Sequence, residues 1–443
     1  MKDASKELEL PIVATRPGQG REARSQWAWT EPAVWTERML NALDNGVKGG
    51  VWFSLMDKVY SPKNLRAAWE RVRRNGGAAG VDRQTVEAFS AQAESSLEWL
   101  HQELRNERYQ PMAVRRKWIP KPGTTKLRPL GIPTVRDRIV QGALRNVLEP
   151  IFERRFHEHS YGFRPGRGCK DALRRVDGLL DRGYRWVVDA DIQSYFDTIS
   201  HELLLREVRK EIADGSVMEL LERYLMQSVM DGMKEFTPEE GTPQGAVISP
   251  LLANVFLHPV DRVLHDAGFE VVRYADDLVI LCETEEKARN ALRLLDAEIT
   301  GRGLKLHPEK TRIVDATQLG GFDFLGYHFE RGRKTPRDKS LKKFKDTVRT
   351  LTPRNAGRSI EAVITRLNAT VRGWYEYFKH CHEWVFGTLD GWIRRRLRAL
   401  LLRQLGRSGS GHGAAHQRWP NSYFATLGLF SMTAARAAAI RPR

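Results

Sequence analysis

The chain has 443 residues, 41% hydrophobic and 29% charged, with a formal net charge of +17. This is the composition of roughly two to four folded domains, not of a disordered polymer, and no run approaches the roughly 18 consecutive apolar residues of a membrane-spanning helix. Three widely spaced cysteines, Cys169, Cys282 and Cys381, exclude a disulfide framework and a paired-cysteine zinc knuckle. With no apolar signal core at the N-terminus, a cytoplasmic protein is expected.

Residues 1–54 carry scattered Pro, Gly and charge and are expected to form an N-terminal extension, flexible in part. From "FSLMDKVYSPKNLRAAWERVRRN" the pattern turns helical, breaks at "GGAAG", and resumes through "DRQTVEAFSAQAESSLEWLHQELRNE". A Pro/Gly-punctuated stretch through "KPGTTKLRPLGIP" predicts a strand pair, with a helix from about Val135. "RWVVDAD" reads as a strand ending in Asp191, and a helical insertion then leads to the loop and apolar helix of "GTPQGAVISPLLANVFL". "FEVVRYADDLVILCE" reads as a hairpin carrying Asp276 and Asp277, followed by an amphipathic helix and the strand "KTRIVDA". Strands and helices thus interleave through residues 185–330, predicting an α+β layer with helices on one sheet face.

Charge is distributed unevenly. Residues 331–443 hold 24 Lys/Arg against 6 Asp/Glu, whereas residues 1–330 hold 48 against 49. Apolar residues at three- and four-residue steps, from Ile360 to Phe378, interrupt the basic ones, so this part should fold as helices. A folded basic module without an apolar anchor points to nucleic acid and away from a membrane. Trp374 and Tyr375 lie on the apolar stripe and are read as core. Adjacent residues cannot all converge on one metal, so His380, Cys381 and His382 are read as packing or surface residues.

Read alone, Asp276 and Asp277 suit a hairpin turn. With Asp191 at the end of a neighbouring strand, three carboxylates would repel one another at one sheet end unless a divalent cation bound there. Oxygen-only ligands suit Mg²⁺, and two such ions form a clamp for in-line phosphoryl displacement.

"RNGGAAGVDRQT", "KLRPLGIPTVRDRIVQGAL", "HSYGFRPGRGCKDAL", "DIQSYFD", "GTPQGAVISPLLANVFL", "YADD", "GLKLHPEKT", "FDFLGYHF", "VRGWYEYF" and "LDGWIRRRLR" follow one another in the chain. Together they resemble the reverse transcriptase–maturase encoded by bacterial group II introns, over about residues 55–435. The resemblance implies an α+β right-hand polymerase with an antiparallel palm sheet and a helical, basic thumb. On this reading residues 55–184 form the fingers with an extra N-terminal segment, 185–330 the palm, and 331–443 the thumb or maturase domain.

The family's residue roles carry over as follows. Asp191 and Asp276 would bind two Mg²⁺ ions, for which Mn²⁺ can substitute; Asp277 would support them and the Ile192 carbonyl could ligate one. Phe196 would lie beneath the sugar and reject a ribose 2′-hydroxyl by steric exclusion, although a core phenylalanine is the plain alternative. Gln244 would touch the incoming nucleotide. Lys121 and Arg128 would hold its triphosphate, with Lys126 competing with Lys121 for that role. The loop with Tyr161, Gly162, Phe163, Arg164 and Arg167 would contact template, and Arg372, Arg394, Arg395 and Arg396 would contact RNA. Lys310 could act as general acid, or simply be an exposed, ion-paired lysine.

The implied activity is copying of intron RNA into DNA from a target primer, together with binding of the intron RNA as a splicing cofactor. The implied partners are group II intron RNA, an RNA template with a DNA or RNA primer, deoxynucleotides and target DNA. A homodimer is compatible with the resemblance, as is nucleoid association during action on DNA. Nothing in the sequence resembles the Cys/His-bearing endonuclease of longer family members. Two alternatives stay open: a relative diverted to defence or repair, and an RNA-binding splicing factor whose polymerase activity is dispensable.

Overall fold

The computed structural model describes residues 26–440 except 48, 121–126, 354–356 and 410. In the described part of the N-terminal extension, Trp27, Val34, Trp35, Leu40 and Leu43 are buried, and Trp35 Nε1 donates to the Asn146 carbonyl at 2.8 Å. Residues 26–47 are therefore packed structure, because two indoles and three aliphatic side chains are taken out of water together.

In chain order the strands are β1 (Val114–Pro120), β2 (Leu127–Ile132), β3 (Trp186–Asp191), β4 (Val229–Asp231), β5 (Lys234–Phe236) and β6 (Glu270–Tyr274). They continue with β7 (Asp277–Cys282), β8 (Arg312–Asp315), β9 (Phe322–Phe324), β10 (Tyr327–Glu330) and β11 (Arg333–Pro336). The central sheet has the order β6-β7-β3-β8 and is antiparallel throughout. A second sheet runs β2-β1-β4-β5, and a third β11-β10-β9.

The central sheet is buried on both faces, which corrects the expectation of helices on one face. Val188, Ala190, Val271, Leu278 and Ile280 share a core with Val255 and Phe256 of the Ser249–Asp266 helix and Leu295 and Ile299 of the Glu285–Gly301 helix. Val187, Val272, Val279 and Leu281 face the other way, onto Ala172, Val176 and Leu179 of the Cys169–Asp181 helix. The unbroken apolar runs of β6 and β7 are the sequence mark of this two-sided burial.

The basic C-terminal part folds as three long helices, Asp338–Leu351, Ile360–Phe378 and Trp384–Gln404, with shorter ones after them. Its core is continuous with the second face of the sheet through Phe344, Leu367, Val371, Tyr375 and Leu397. Trp374 stacks on Phe344 at 4.5 Å between ring centres. Cys381 is fully buried, with its thiol pushed up to about 12 by burial, and it packs as the sequence suggests. Among the described residues no helix is long and apolar enough to cross a membrane.

Below the sheet, His159 stacks near Tyr161 and His258 meets Phe156 edge-on. Burial pushes each imidazole down to about 4. The unfolded chain takes up these protons near pH 6.5 and the fold only near pH 4, so stability is lost as pH falls through that window. The thermal midpoint should drop by several degrees between pH 6.5 and 4, and the drop should shrink in the His159→Gln/His258→Gln variant. An unchanged slope would contradict buried, neutral imidazoles.

Candidate active site

The antiparallel register of β3 and β7 sets Asp191 directly opposite Asp277. On the other side of β7, Tyr274 pairs with Asp277 and closes the hairpin around Ala275 and Asp276. Ala275 adopts φ 60°, the left-handed region that a tight reversal demands and that alanine populates rarely. The three carboxylates thus share one sheet end because of strand register, across more than eighty residues of sequence. Asp189, two residues before Asp191, lies on the same face of β3. The sequence reading gave it no role, although the period-two spacing in "DAD" was the available signal.

The electrostatics are those of crowded anions. Asp276 is held above the usual carboxylate range, chiefly by burial and then by the nearby Asp191 charge. Asp277 is exposed at the first position of β7, yet the protein packed around its carboxylate strips enough hydration, with the Asp276 charge second, to push it up to about 6. Burial also raises Asp189 to about 6, against the pull of Arg312, whose Nε donates to Asp189 Oδ2 at 3.4 Å. Asp191 is relieved by Lys310, whose Nζ lies 2.6 Å from Oδ2. Lys310 is therefore an exposed, ion-paired lysine at rest, and its reach into the cluster is compatible with proton donation there. Ile192 is buried and bridges to Leu306 beside the cluster.

Phe196 and Gln244 line one 430 Å³ cleft together with Trp118, Gly131 and Asp197. Phe196 is half-buried in a short 3₁₀ turn, its ring centre 5.4 Å from Tyr195 and 6.4 Å from Phe163. Gln244 Nε2 donates to both Asp197 carboxylate oxygens, at 3.2 and 3.3 Å, and the Gln244 carbonyl accepts from Gly131 N at 2.6 Å. Gly245, at φ 112°, packs so close to the Gly131 carbonyl that a Cβ would overlap it, which explains a glycine on each side of the contact. Asp197, given no role by the sequence, fixes the amide of Gln244. Arg128 is exposed on β2 opposite Ile119. Lys121 and its competitor Lys126 lie outside the described residues.

The loop after His159 is only partly the template surface expected of it. Arg164 is buried, holding Glu153 through Nε and Nη2 at 2.7 to 3.1 Å and the His157 and Ser160 carbonyls at 2.6 Å. Its guanidinium is spent on folding the loop, so it is removed from the template contacts. Tyr161 is buried too, whereas Phe163 is 43% exposed. Gly162 packs against the Ala275 amide where no side chain fits. Arg167 spans Glu153 and the Glu158 carbonyl.

In the basic helices, Arg396 is half-buried and ties Thr352 through its side chain and carbonyl at 2.9 and 3.1 Å, a helix-to-helix anchor. Arg372 is exposed over the Phe430 ring. Arg394 is half-buried, its Nε without a partner. Arg395, 3.2 Å from His412, lines an 840 Å³ cleft with Lys345, Trp392, Arg398, His412 and His416, and among the described residues no acidic one lines it.

The donor set fits a hard divalent cation: oxygen-only ligands, mutual repulsion, and a lysine supplying the missing positive charge. Among the described residues no three acidic, histidine or cysteine side chains already converge on one ion position, and Lys310 Nζ occupies Asp191 Oδ2.

Residues 119–329 match the family described as "Reverse transcriptase (RNA-dependent DNA polymerase)", and residues 341–419 match "Group II intron, maturase-specific domain". Protein YkfC of Escherichia coli is 34% identical over 351 residues, covering 69% of this chain and 86% of that protein. The group II intron-encoded protein LtrA of Lactococcus lactis is 37% identical over 203 residues, covering 45% of this chain and 33% of LtrA. A telomerase structure from Candida albicans aligns over 80% of this chain and 68% of that one at TM-score 0.42 and 14% identity, too distant to bear on the argument.

Crowding of the carboxylates predicts that Asp277→Asn stabilises the metal-free protein. Asp277 is protonated more readily in the fold than in the unfolded chain, so its charge opposes folding as pH rises from about 4 to 6 and stays unfavourable above. With chelator present, the variant's thermal midpoint at pH 7.5 should rise on the order of 2 °C, and the gain should vanish below pH 4. A lowered midpoint at pH 7.5 would contradict the repulsion.

Proposed function

Because the chain belongs to the reverse transcriptase–maturase family of group II introns, we propose that it copies RNA into DNA at the Asp191/Asp276/Asp277 cluster and binds intron RNA through its basic C-terminal helices. The observation that carries the first half is the β3–β7 register, which sets Asp191 opposite Asp277 with Asp276 beside it.

Asp191 and Asp276 would hold two Mg²⁺ ions, or Mn²⁺ in their place, with Asp277 in support and the Ile192 carbonyl available to one of them. Bound there, the ions would stabilise the charge that develops on the attacking and leaving oxygens. The remaining work falls to the chain. Asp197 fixes the amide of Gln244 so that its carbonyl end is free for the incoming nucleotide. Phe196, on the wall of the same cleft, fills the space a ribose 2′-hydroxyl would need. Arg128 reaches the triphosphate from β2 as a bidentate donor. Lys310, released from Asp191, can pass a proton to the departing pyrophosphate.

The template is intron RNA, the primer a DNA 3′ end at a target site, and the substrates deoxynucleotides. Binding of the intron RNA would assist splicing without chemistry, because a ligand that prefers the folded ribozyme stabilises it by mass action. The acid-free cleft with Lys345, Arg395 and His412 supports this second half.

Primer extension on an RNA template should proceed with the wild type and fall by at least about a thousandfold with folded Asp276→Asn. Equal activity of the two proteins would sink the assignment. Lys345→Glu with Arg395→Glu should weaken intron RNA binding and lower the slope of log affinity against log salt by about 0.7 for each lost phosphate contact. An unchanged salt slope would remove the cleft from the RNA surface.

A further inference from the structure

Arg273 lies on β6, between the apolar residues Val271 and Val272 and the tetrad at 274–277, and is only 1% exposed. Burying a guanidinium is unfavourable unless every donor is used. Nε and Nη2 form a fork on Asp261, itself 2% exposed, with Nε 2.7 Å from Oδ1 and Nη2 2.5 Å from Oδ2. Nη1 has two further acceptors, the Asn254 side-chain oxygen at 3.0 Å and the Ala275 carbonyl at 2.9 Å. Ala275 is the left-handed residue immediately before Asp276. Its peptide is therefore gripped by a charged donor that is itself anchored on the Ser249–Asp266 helix through Asp261 and Asn254.

The same residue also organises the loop expected to meet template. Arg273 N donates to the His159 carbonyl at 3.0 Å, and Tyr161 N donates to the Arg273 carbonyl at 2.8 Å, so residues 159–161 run as an added edge along β6. Asn254, whose oxygen receives Arg273, uses its Nδ2 to hold the Gly162 carbonyl at 2.8 Å. Gly162 in turn lies against the Ala275 amide. The tetrad turn is thus held to the helix by the Arg273 side chain and Asn254, and the loop tip is held to both by the Arg273 backbone and the Asn254 amide.

We propose that Arg273, with Asp261 and Asn254 behind it, is a positioning residue that fixes the Ala275–Asp276 turn against the 159–163 loop, so that the metal-binding carboxylates and the template surface keep one register. This rests on the polymerase reading above. A lysine cannot replace it, because one ammonium on a flexible stem cannot hold the Asp261 fork, Asn254 and the Ala275 carbonyl together.

The test compares wild type, Arg273→Lys, Asn254→Ala and the double variant Arg273→Met/Asp261→Leu. The double variant removes both buried charges together, which folds more readily than a protein with one left unpaired. Thermal midpoint, affinity for an RNA–DNA primer duplex, kcat and KM for a deoxynucleotide, and affinity for Mn²⁺ alone would be measured for each. In folded variants we expect duplex affinity and KM within about twofold of wild type. We expect kcat to fall on the order of a hundredfold in the double variant and Arg273→Lys, because small misplacement of reacting groups is costly, and about tenfold in Asn254→Ala. Mn²⁺ affinity should weaken in parallel.

A folded double variant or Arg273→Lys with wild-type kcat and Mn²⁺ affinity would overturn the proposal. If neither folds, Asn254→Ala decides it by the same two readouts. Should the wild type extend no primer at all, the polymerase reading fails, while the Mn²⁺ affinities still test Arg273.

Discussion

Three carboxylates meet at one end of the β3–β7 ladder, and their repulsion is the condition the surrounding structure has to satisfy. Asp191 ends β3 and Asp277 opens β7 at paired positions, with Asp276 in the turn beside them, so strand pairing keeps the charges near one another. Lys310 takes up part of the excess from the solvent side. Arg273 lies on the interior side, its charge matched by Asp261 and its spare donors on the turn. A cation bound there would relieve a penalty that folding has already incurred.

Packing of the central sheet on both faces is what makes such placement durable. Helices Ser249–Asp266 and Glu285–Gly301 cover one side, and the Cys169–Asp181 helix with the C-terminal core covers the other. The second core runs without interruption from the sheet into the basic helices, so the part that carries RNA-binding charge is anchored directly on the back of the catalytic sheet. Cationic side chains there divide into two kinds. Arg396 bonds to Thr352 and holds helices together, while Lys345 and Arg395 line the open cleft, with Arg398 on its wall bonded to the Trp419 carbonyl.

The sequence made the cluster legible through local signals: an aspartate closing a β-branched run, a doublet inside a hairpin, and ordered motif blocks around both. It could not show register, which depends on pairing between strands far apart in the chain and sets Asp191 opposite Asp277. Arg273 was visible in "VVRYADD", but a cation inside an apolar strand announces a partner only when Asp261, twelve residues earlier on a helix, is brought under it. For Arg164 the converse holds: the resemblance places it in a template-contacting loop, yet Glu153 and two carbonyls consume its donors. The packing of residues 26–47 is not legible in the sequence because their tryptophans lack helical or alternating spacing, and Trp35 finds its partner on the distant Val135–Glu153 helix.

Whether the carboxylate end is a cation site is tested most directly by melting the nucleic-acid-free protein with and without Mg²⁺, alongside Asp191→Asn and Asp276→Asn. Binding to the folded state alone raises stability with ligand concentration. The account predicts a midpoint that climbs with Mg²⁺ in the wild type and stays nearly flat in both variants. Equal upward shifts in all three proteins, or no shift in any, would contradict it.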